Sequence, residues 1–94
     1  MTKYEYMIIL DPSISEEDRN ASLTELKALF EANNVKIENE DVWGNKKLAY
    51  KINRSEEGYY ILFTLEMDGK AIKVMSPTIN LDQNIWRHMF IKIS

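Results

Sequence analysis

Hydrophobic and polar positions alternate in several stretches of the chain, and alternation of period two predicts β-strands. The run YEYMIIL at residues 4–10 is rich in aromatic and β-branched residues and ends at Asp11-Pro12, which predicts a strand followed by a break. Residues 35–52 begin with alternation, loosen through a run of acids and resume the alternation after Gly44. We therefore expect one long or bulged strand with its irregularity near this glycine.

Two further stretches predict the remaining strands. Residues 59–67 (YYILFTLEM) carry apolar side chains at every odd position and a mixture at the even positions, as expected for a central strand with one buried face. The polar residues 53–58 before them predict a turn. Residues 85–93 predict a last strand, but odd and even positions are both partly apolar, so the sequence leaves its buried face open.

A period of three to four residues predicts a first helix. Ser15 precedes three acids and has capping-box spacing to Asp18, which predicts the helix start. Asn33-Asn34 predicts its stop, because asparagine tolerates the left-handed conformation. The apolar residues between these ends lie on one helical face, at Leu23, Leu26, Leu29 and Phe30.

Residues 70–81 predict a short second helix, which Pro77 is expected to end or kink near Ser76. The elements then follow in the order β-α-β-β-α-β, which predicts an α+β, ferredoxin-like sandwich: a four-stranded antiparallel sheet with two helices on one face. The usual strand order of this fold is 4-1-3-2, and no helix is left to cover the other face of the sheet. The fold hosts many functions and decides none of them.

Length and composition narrow the class of protein. The 94 residues predict one domain, spanning 1–94, and the absence of cysteine excludes a disulfide framework and thiolate metal sites. No run reaches the roughly 18 apolar residues of a membrane span, and the N-terminus has no signal-peptide pattern. We expect a cytoplasmic protein without a membrane partner.

Candidate catalytic chemistry is sparse, and we predict that the protein is not an enzyme. The one histidine, His88, lies in a predicted strand, and the three glycines stand apart from one another. The carboxylates show neither acid/base nor metal-ligand spacing. We therefore expect no cofactor, no metal and no small-molecule substrate.

Charge is distributed unevenly along the chain, although its net value is only −3. Residues 1–43 carry four cations and ten anions, and residues 55–94 carry four cations and five anions. Residues 44–54 between them carry four cations and no acid. This acid-free segment is the sequence feature that most favours a binding function.

The cations of the acid-free segment lie beside aromatic residues. The cations are Lys46, Lys47, Lys51 and Arg54, and the neighbouring aromatics are Trp43, Tyr50, Tyr59 and Tyr60. On an open sheet this combination is typical of RNA binding, where phosphates need charge and exposed bases need flat partners. Lysines that guard an edge strand against aggregation fit the spacing equally well. We expect Tyr59 and Phe63 to belong to the core rather than to a stacking platform.

A second basic spot is expected where the first and last strands lie side by side. Lys3 and Tyr4 stand in the first strand, and Arg87 and Lys92 stand in the last. The three cations come together if the registers of the two strands agree.

Several motifs resemble the family of bacterial small-subunit ribosomal protein six. They are YEYMIIL with the proline at 12, WGNKKLAYKI at 43–52, and EGYY at 57–60 followed by LEM. The lengths between these landmarks match over the whole chain. The resemblance implies the βαββαβ fold, no catalysis, and binding to the central domain (platform) of small-subunit ribosomal RNA together with small-subunit ribosomal protein eighteen. It implies RNA contacts at Lys3, Tyr4, Lys46, Lys47 and Arg87.

Counting charges predicts weak RNA binding by the chain alone. Each neutralised phosphate contributes about 0.7–0.9 to the slope of log affinity against log salt, so the four cations of residues 44–54 give a slope of about 3–4. A basic protein partner is then needed to supply further charge. Two alternatives stay open on the same fold: a generic single-strand RNA-recognition domain, and a small-molecule regulatory domain.

Overall fold

The structure is a computed structural model and describes residues 2–93. Its elements are β1 (Thr2–Leu10), α1 (Glu16–Ala32), β2 (Lys36–Ile52), β3 (Ser55–Met67), α2 (Lys70–Ile79) and β4 (Ile85–Lys92). The four strands form one sheet in the order β2-β3-β1-β4, and every neighbouring pair is antiparallel. The predicted ferredoxin-like architecture and its strand order are confirmed.

One face of the sheet and the two helices enclose the core. Alternate residues of each strand point to the same face, and those of β1 and β3 that face the helices are almost completely buried. From the strands these are Tyr6, Ile8, Leu10, Ile61, Phe63, Leu65 and Met67, and from the helices Leu26, Phe30, Met75 and Ile79. Phe63 is thus a core residue, as predicted.

The ends of α1 follow the predicted capping chemistry. Ser15 is the N-cap, and its Oγ accepts a hydrogen bond of 3.0 Å from the backbone N–H of Asp18. At the other end Asn33 caps the helix, and Asn34 adopts the left-handed conformation with a φ of 59°. Local sequence chemistry therefore sets both ends of this helix.

The second helix runs past its proline. We expected α2 to end or kink near Ser76, but it continues to Ile79 with Pro77 inside it. The backbone N–H of Asn80 still reaches the Ser76 carbonyl at 2.9 Å. Because Met75 and Ile79 are both buried, packing against the sheet holds the last turn helical despite the donor that proline lacks.

The turn between β2 and β3 is shorter than predicted. The sequence favoured a turn over residues 53–58, whereas β3 begins at Ser55 and pairs there with Ile52. Only Asn53 and Arg54 form the turn, with positive φ values of 49° and 68°. Two successive left-handed residues match the twist of a two-residue hairpin turn, which normally uses Asn-Gly. Because arginine stands at the second position here, the sequence did not predict so short a turn.

The register of β4 settles which of its faces is buried. Tyr6 pairs with Phe90 and Ile8 pairs with His88, so the even residues of β4 face the helices. The odd residues Met89 and Ile91 lie on the opposite face.

No helix within residues 2–93 is long and apolar enough to cross a membrane.

Candidate nucleic-acid interface

The hairpin of β2 and β3 carries the acid-free segment, and β2 is irregular along its length. Its pairing with β3 shifts three times, between Ile37 and Asn39, between Val42 and Gly44, and between Lys47 and Ile52. At the second shift the φ of Gly44 is 77°, which glycine adopts without strain. The predicted irregularity at Gly44 is confirmed, and bulges of this kind bend a strand and increase its twist.

The bent hairpin folds over the sheet face that the helices leave open. Leu48 and Ile52 are buried, although neither belongs to the main core. Gly58 permits the close approach, because a Cβ there would collide with Ile9 Cγ2 and lie 3.2 Å from Leu48 Cδ2. Tyr50, further along β2, borders the same recess as Ile9. A small second core therefore fixes the hairpin above the open face.

Three of the four cations of the hairpin lie along one groove. Lys47, Lys51 and Arg54 line it together with the two acids that return on β3, Glu56 and Glu57. The segment is acid-free in sequence, but Lys47 pairs directly with Glu57 across the ladder. The groove is therefore less positive than the sequence indicated.

The two adjacent lysines diverge. Lys46 pairs with Gly58 and Lys47 pairs with Glu57, so their side chains leave opposite faces of the hairpin. Both are exposed. A single phosphate cannot be held by this pair, and the hairpin instead presents cations on two sides.

The second basic spot does not form, because the registers separate its members. Arg87 pairs with Ile9, whereas Lys3 lies six residues away on β1, roughly 20 Å along the strand, and accepts a backbone bond from Ile93. Lys92 pairs with Tyr4 on the face of the helices. The predicted juxtaposition of Lys3, Arg87 and Lys92 is therefore wrong.

Tyr4 and Lys3 are less available than the resemblance implies. Tyr4 is only 9% exposed and packs edge-on against Phe90, with 6.4 Å between ring centroids. Its ring belongs to the core and offers little surface for an RNA contact. The Lys3 ammonium lies 3.3 Å from the Glu38 carboxylate, in one of the two ion pairs formed within residues 2–93.

The open face of the sheet is apolar at its centre. Met89, Ile91 and Ile93 of the β4 edge are 55%, 44% and 48% exposed, and half-buried Met7 and Leu62 lie beside them on β1 and β3. We did not predict a binding site on this surface from the sequence. The sequence does contain an indication of it: odd and even positions of residues 85–93 are both partly apolar, as in a strand with two apolar faces.

Aromatic residues of the hairpin region divide between two roles. Trp43 stacks on Tyr60 with an interplanar angle of 11°, and its Nε1 donates to Asp41 Oδ2 at 2.9 Å. Tyr59 packs against the core, as predicted, and the Arg19 guanidinium lies 4.1 Å from its ring centre. Trp43 thus presents a fixed ring to solvent, while Tyr59 does not.

Within residues 2–93, two titratable side chains have perturbed pKa values, and neither forms a catalytic arrangement. Burial raises the pKa of Tyr6 far above its ordinary value and lowers that of His88. His88 Nε2 lies 2.8 Å from Asn80 Oδ1, while the buried Tyr6 hydroxyl and His88 Nδ1 have no hydrogen-bond partner in the described chain. Residues 2–93 also contain no cluster of three potential metal ligands.

The fold and the site together define a class: a small ferredoxin-like protein with a cationic hairpin and an open apolar sheet face. The chain matches the family model "Ribosomal protein S6" over residues 3–92. It is 34% identical over 92 residues to small ribosomal subunit protein bS6 of Fusobacterium nucleatum, covering 98% of both chains. It is 38% identical over 93 residues to the bS6 protein of Alkaliphilus oremlandii, covering 99% of this chain and 98% of the relative.

Solved structures agree with the sequence relatives. The crystal structure of 30S ribosomal protein S6 from Thermotoga maritima superposes with a TM-score of 0.90 at 26% identity, covering 98% of this chain and 87% of that one. The chain belongs to the ribosomal protein S6 family. It is a structural protein of the small ribosomal subunit in the cytoplasm, and it is not an enzyme.

Proposed function

We propose that residues 1–94 act as one unit that binds the central domain of small-subunit ribosomal RNA through the hairpin of β2 and β3. We propose further that the unit does so together with small-subunit ribosomal protein eighteen, which docks on the open sheet face. The observation that supports RNA binding by the hairpin is the groove along which Lys47, Lys51 and Arg54 lie. Phosphate oxygens are the ligands that such exposed cations fit.

Lys46 and Arg87 extend the RNA surface beyond the groove. Lys46 leaves the other side of the hairpin, and Arg87 lines the recess beneath Tyr50. Two sides of one hairpin then contact the RNA backbone, and the exposed ring of Trp43 supplies a flat partner nearby. The contribution of Lys3 is reduced by its ion pair with Glu38, and Lys92 lies on the far face of the sheet.

The open face supports the protein partner. A net charge of −3 opposes approach to RNA, so a basic partner improves the electrostatics of the complex. Glu5 and Glu66 lie on the open face beside the apolar centre formed by Met7, Met89 and Ile91. Lys3 and Arg87 lie on the same face, so the apolar centre has a margin of mixed charge, which fits a protein surface better than it fits RNA phosphates alone.

A titration against a central-domain fragment of small-subunit RNA tests this function. The natural chain and a Lys47→Gln/Lys51→Gln variant are titrated with and without protein eighteen, over a series of salt concentrations. We expect tight binding only with the partner, and a salt slope about 1.4–1.8 lower for the double variant. A Lys70→Gln/Lys73→Gln variant removes equal charge from exposed positions of α2 and serves as the matched control.

Three results distinguish the alternatives. An equal loss of RNA affinity in the hairpin and α2 variants would show that only the total charge matters, which would contradict specific binding in the groove. Tight binding of a short single-stranded oligonucleotide without protein eighteen would favour a generic RNA-recognition domain. No RNA binding by the folded chain in either condition would contradict the proposed function.

A further inference from the structure

A cleft at the end of the sheet lies beside the cationic groove and has a different composition. It has a volume of about 440 Å³, and three segments line it: the loop after β1, the hairpin turn and the start of β4. The lining residues are Asp11, Pro12, Ser13, Asn53, Arg54, Ser55 and Trp86. One wide aromatic ring, one guanidinium and several hydrogen-bonding groups are thus gathered in one open recess.

A β-bulge directs Trp86 into this cleft. Leu10 pairs with Ile85 and Ile9 pairs with Arg87, so Trp86 has no partner residue on β1. Its backbone carbonyl accepts a 2.8 Å hydrogen bond from Arg87 Nη1. Bulges re-aim side chains in this way and recur beside functional sites. The half-buried indole lines the cleft and contributes neither to the main core nor to the aromatic cluster around Tyr6.

The hairpin turn forms another part of the cleft wall. Asn53 and Arg54 have φ values of 49° and 68°, a conformation uncommon for residues other than glycine. The turn holds Arg54 on the border between the cleft and the groove that also contains Lys47 and Lys51.

We propose that this cleft receives one unpaired nucleobase of the bound RNA, with the base stacked on Trp86 and its phosphate near Arg54. The inference rests on the proposed function. Splayed bases in RNA loops are held by aromatic rings and hydrogen-bonded at their edges. The Asp11 carboxylate supplies the edge acceptor: its Oδ1 already accepts from Ser13 N and Oγ at 2.8 and 2.6 Å, which fixes its orientation. A carboxylate acceptor favours bases with an exocyclic amino group.

The test compares Trp86→Ala with Trp86→Phe in the ternary titration with protein eighteen and the central-domain RNA fragment. Stacking on one aromatic ring is worth about 1–3 kcal/mol, so Trp86→Ala is expected to weaken RNA affinity about 5- to 150-fold. Trp86→Phe keeps a stacking ring and is expected to retain most of the affinity. Neither change alters the salt slope, because stacking neutralises no phosphate, whereas Arg54→Gln lowers the slope by about 0.7–0.9.

Fluorine NMR of the fluorotryptophan-labelled natural chain gives a readout that needs no destabilising variant. The Trp86 signal is assigned by its loss in Trp86→Phe and is expected to shift on adding RNA. Unchanged RNA affinity of folded Trp86→Ala, or an unshifted Trp86 signal in a formed complex, would contradict base binding in the cleft and leave the proposed function intact. Weaker binding of protein eighteen without RNA would assign the cleft to the protein and also overturn it. No RNA binding by the natural chain would overturn both.

Discussion

The two faces of the sheet use the same strands for opposite purposes. On the side of the helices, alternate residues of β1 and β3 such as Ile8 and Leu65 are completely buried. On the other side, Met7 of β1 and Leu62 of β3 are half-buried, and Met89 on the edge strand is 55% exposed. Both faces are apolar at the centre, but only one is closed.

Within one strand, residues on the closed face therefore determine stability, whereas residues on the open face are available for binding. A residue on the closed face contributes through the contacts it loses when removed, because a core relaxes only partly around a cavity. A residue on the open face has few such contacts in the isolated chain. It contributes when a second molecule covers it, and monomeric proteins rarely keep large apolar patches uncovered.

The largest expected effect compares one leucine from each face. Leu65→Ala on the closed face is expected to lower the free energy of unfolding by about 2–5 kcal/mol, a large part of the about 5–15 kcal/mol typical of a domain. Leu62→Ala, three residues away on the open face, is expected to cost about 1 kcal/mol. Urea unfolding followed by circular dichroism measures both. Equal costs would refute the assignment of the two faces.

The next effect concerns the point where the hairpin meets the open face. Gly58→Ala is expected to cost about 1–3 kcal/mol of unfolding free energy, because the added Cβ collides with Ile9 Cγ2. Removing that atom with Ile9→Ala should make the double variant less destabilised than the sum of the two single changes. Strict additivity in thermal or urea unfolding would show that the hairpin does not press on Ile9.

A smaller effect separates binding from stability on the open face. Met89→Glu is expected to leave unfolding nearly unchanged, because the side chain is more than half exposed, but to weaken pairing with protein eighteen at least about tenfold through a buried, unpaired charge. Val74→Glu, at an exposed position of α2, is the matched control and should not affect pairing. Isothermal titration calorimetry checks both variants. Loss of pairing in the α2 variant instead would place the partner on the helices.

The smallest expected effect is a pH dependence of folding stability that comes from His88, which lies on the sheet face that the helices cover. Burial lowers the pKa of His88 below its ordinary value of 6.5 in the folded chain, so the neutral imidazole stabilises the fold. This stability is present above the unfolded pKa and is lost as the pH falls below it. His88→Gln should therefore flatten the decline in stability between about pH 7 and pH 5. A steeper decline in the variant would contradict the sign of the shift.

Much of the fold could be predicted from the sequence, because its determinants are local. Alternation identified the strands, and Ser15 marked a helix start because its Oγ accepts a hydrogen bond from the backbone N–H of Asp18. Pro77 misled the prediction, since the burial of Ile79 outweighs a missing donor. The turn that contains Arg54 was predicted too long, because arginine rarely adopts a positive φ and gives no sequence signal for a two-residue turn.

The candidate site was less predictable, because its geometry is set by pairing between distant segments. The four hairpin cations are local in sequence and were found, but register sends Lys46 and Lys47 to opposite sides. Register likewise separates Lys3 from Arg87, which no count of neighbouring residues reveals. The acids that enter the groove, such as Glu57, arrive on the returning strand.

Methionine methyl NMR tests the two-face account most directly, because each face carries its own probes. Met7 and Met89 lie on the open face, and Met67 and Met75 are completely buried on the closed face. On titration of the labelled chain with protein eighteen, we expect the largest shifts at Met7 and Met89 and little change at Met67 and Met75. A complex that forms while Met7 and Met89 keep their free-chain shifts would contradict the account, because the open face would then remain uncovered.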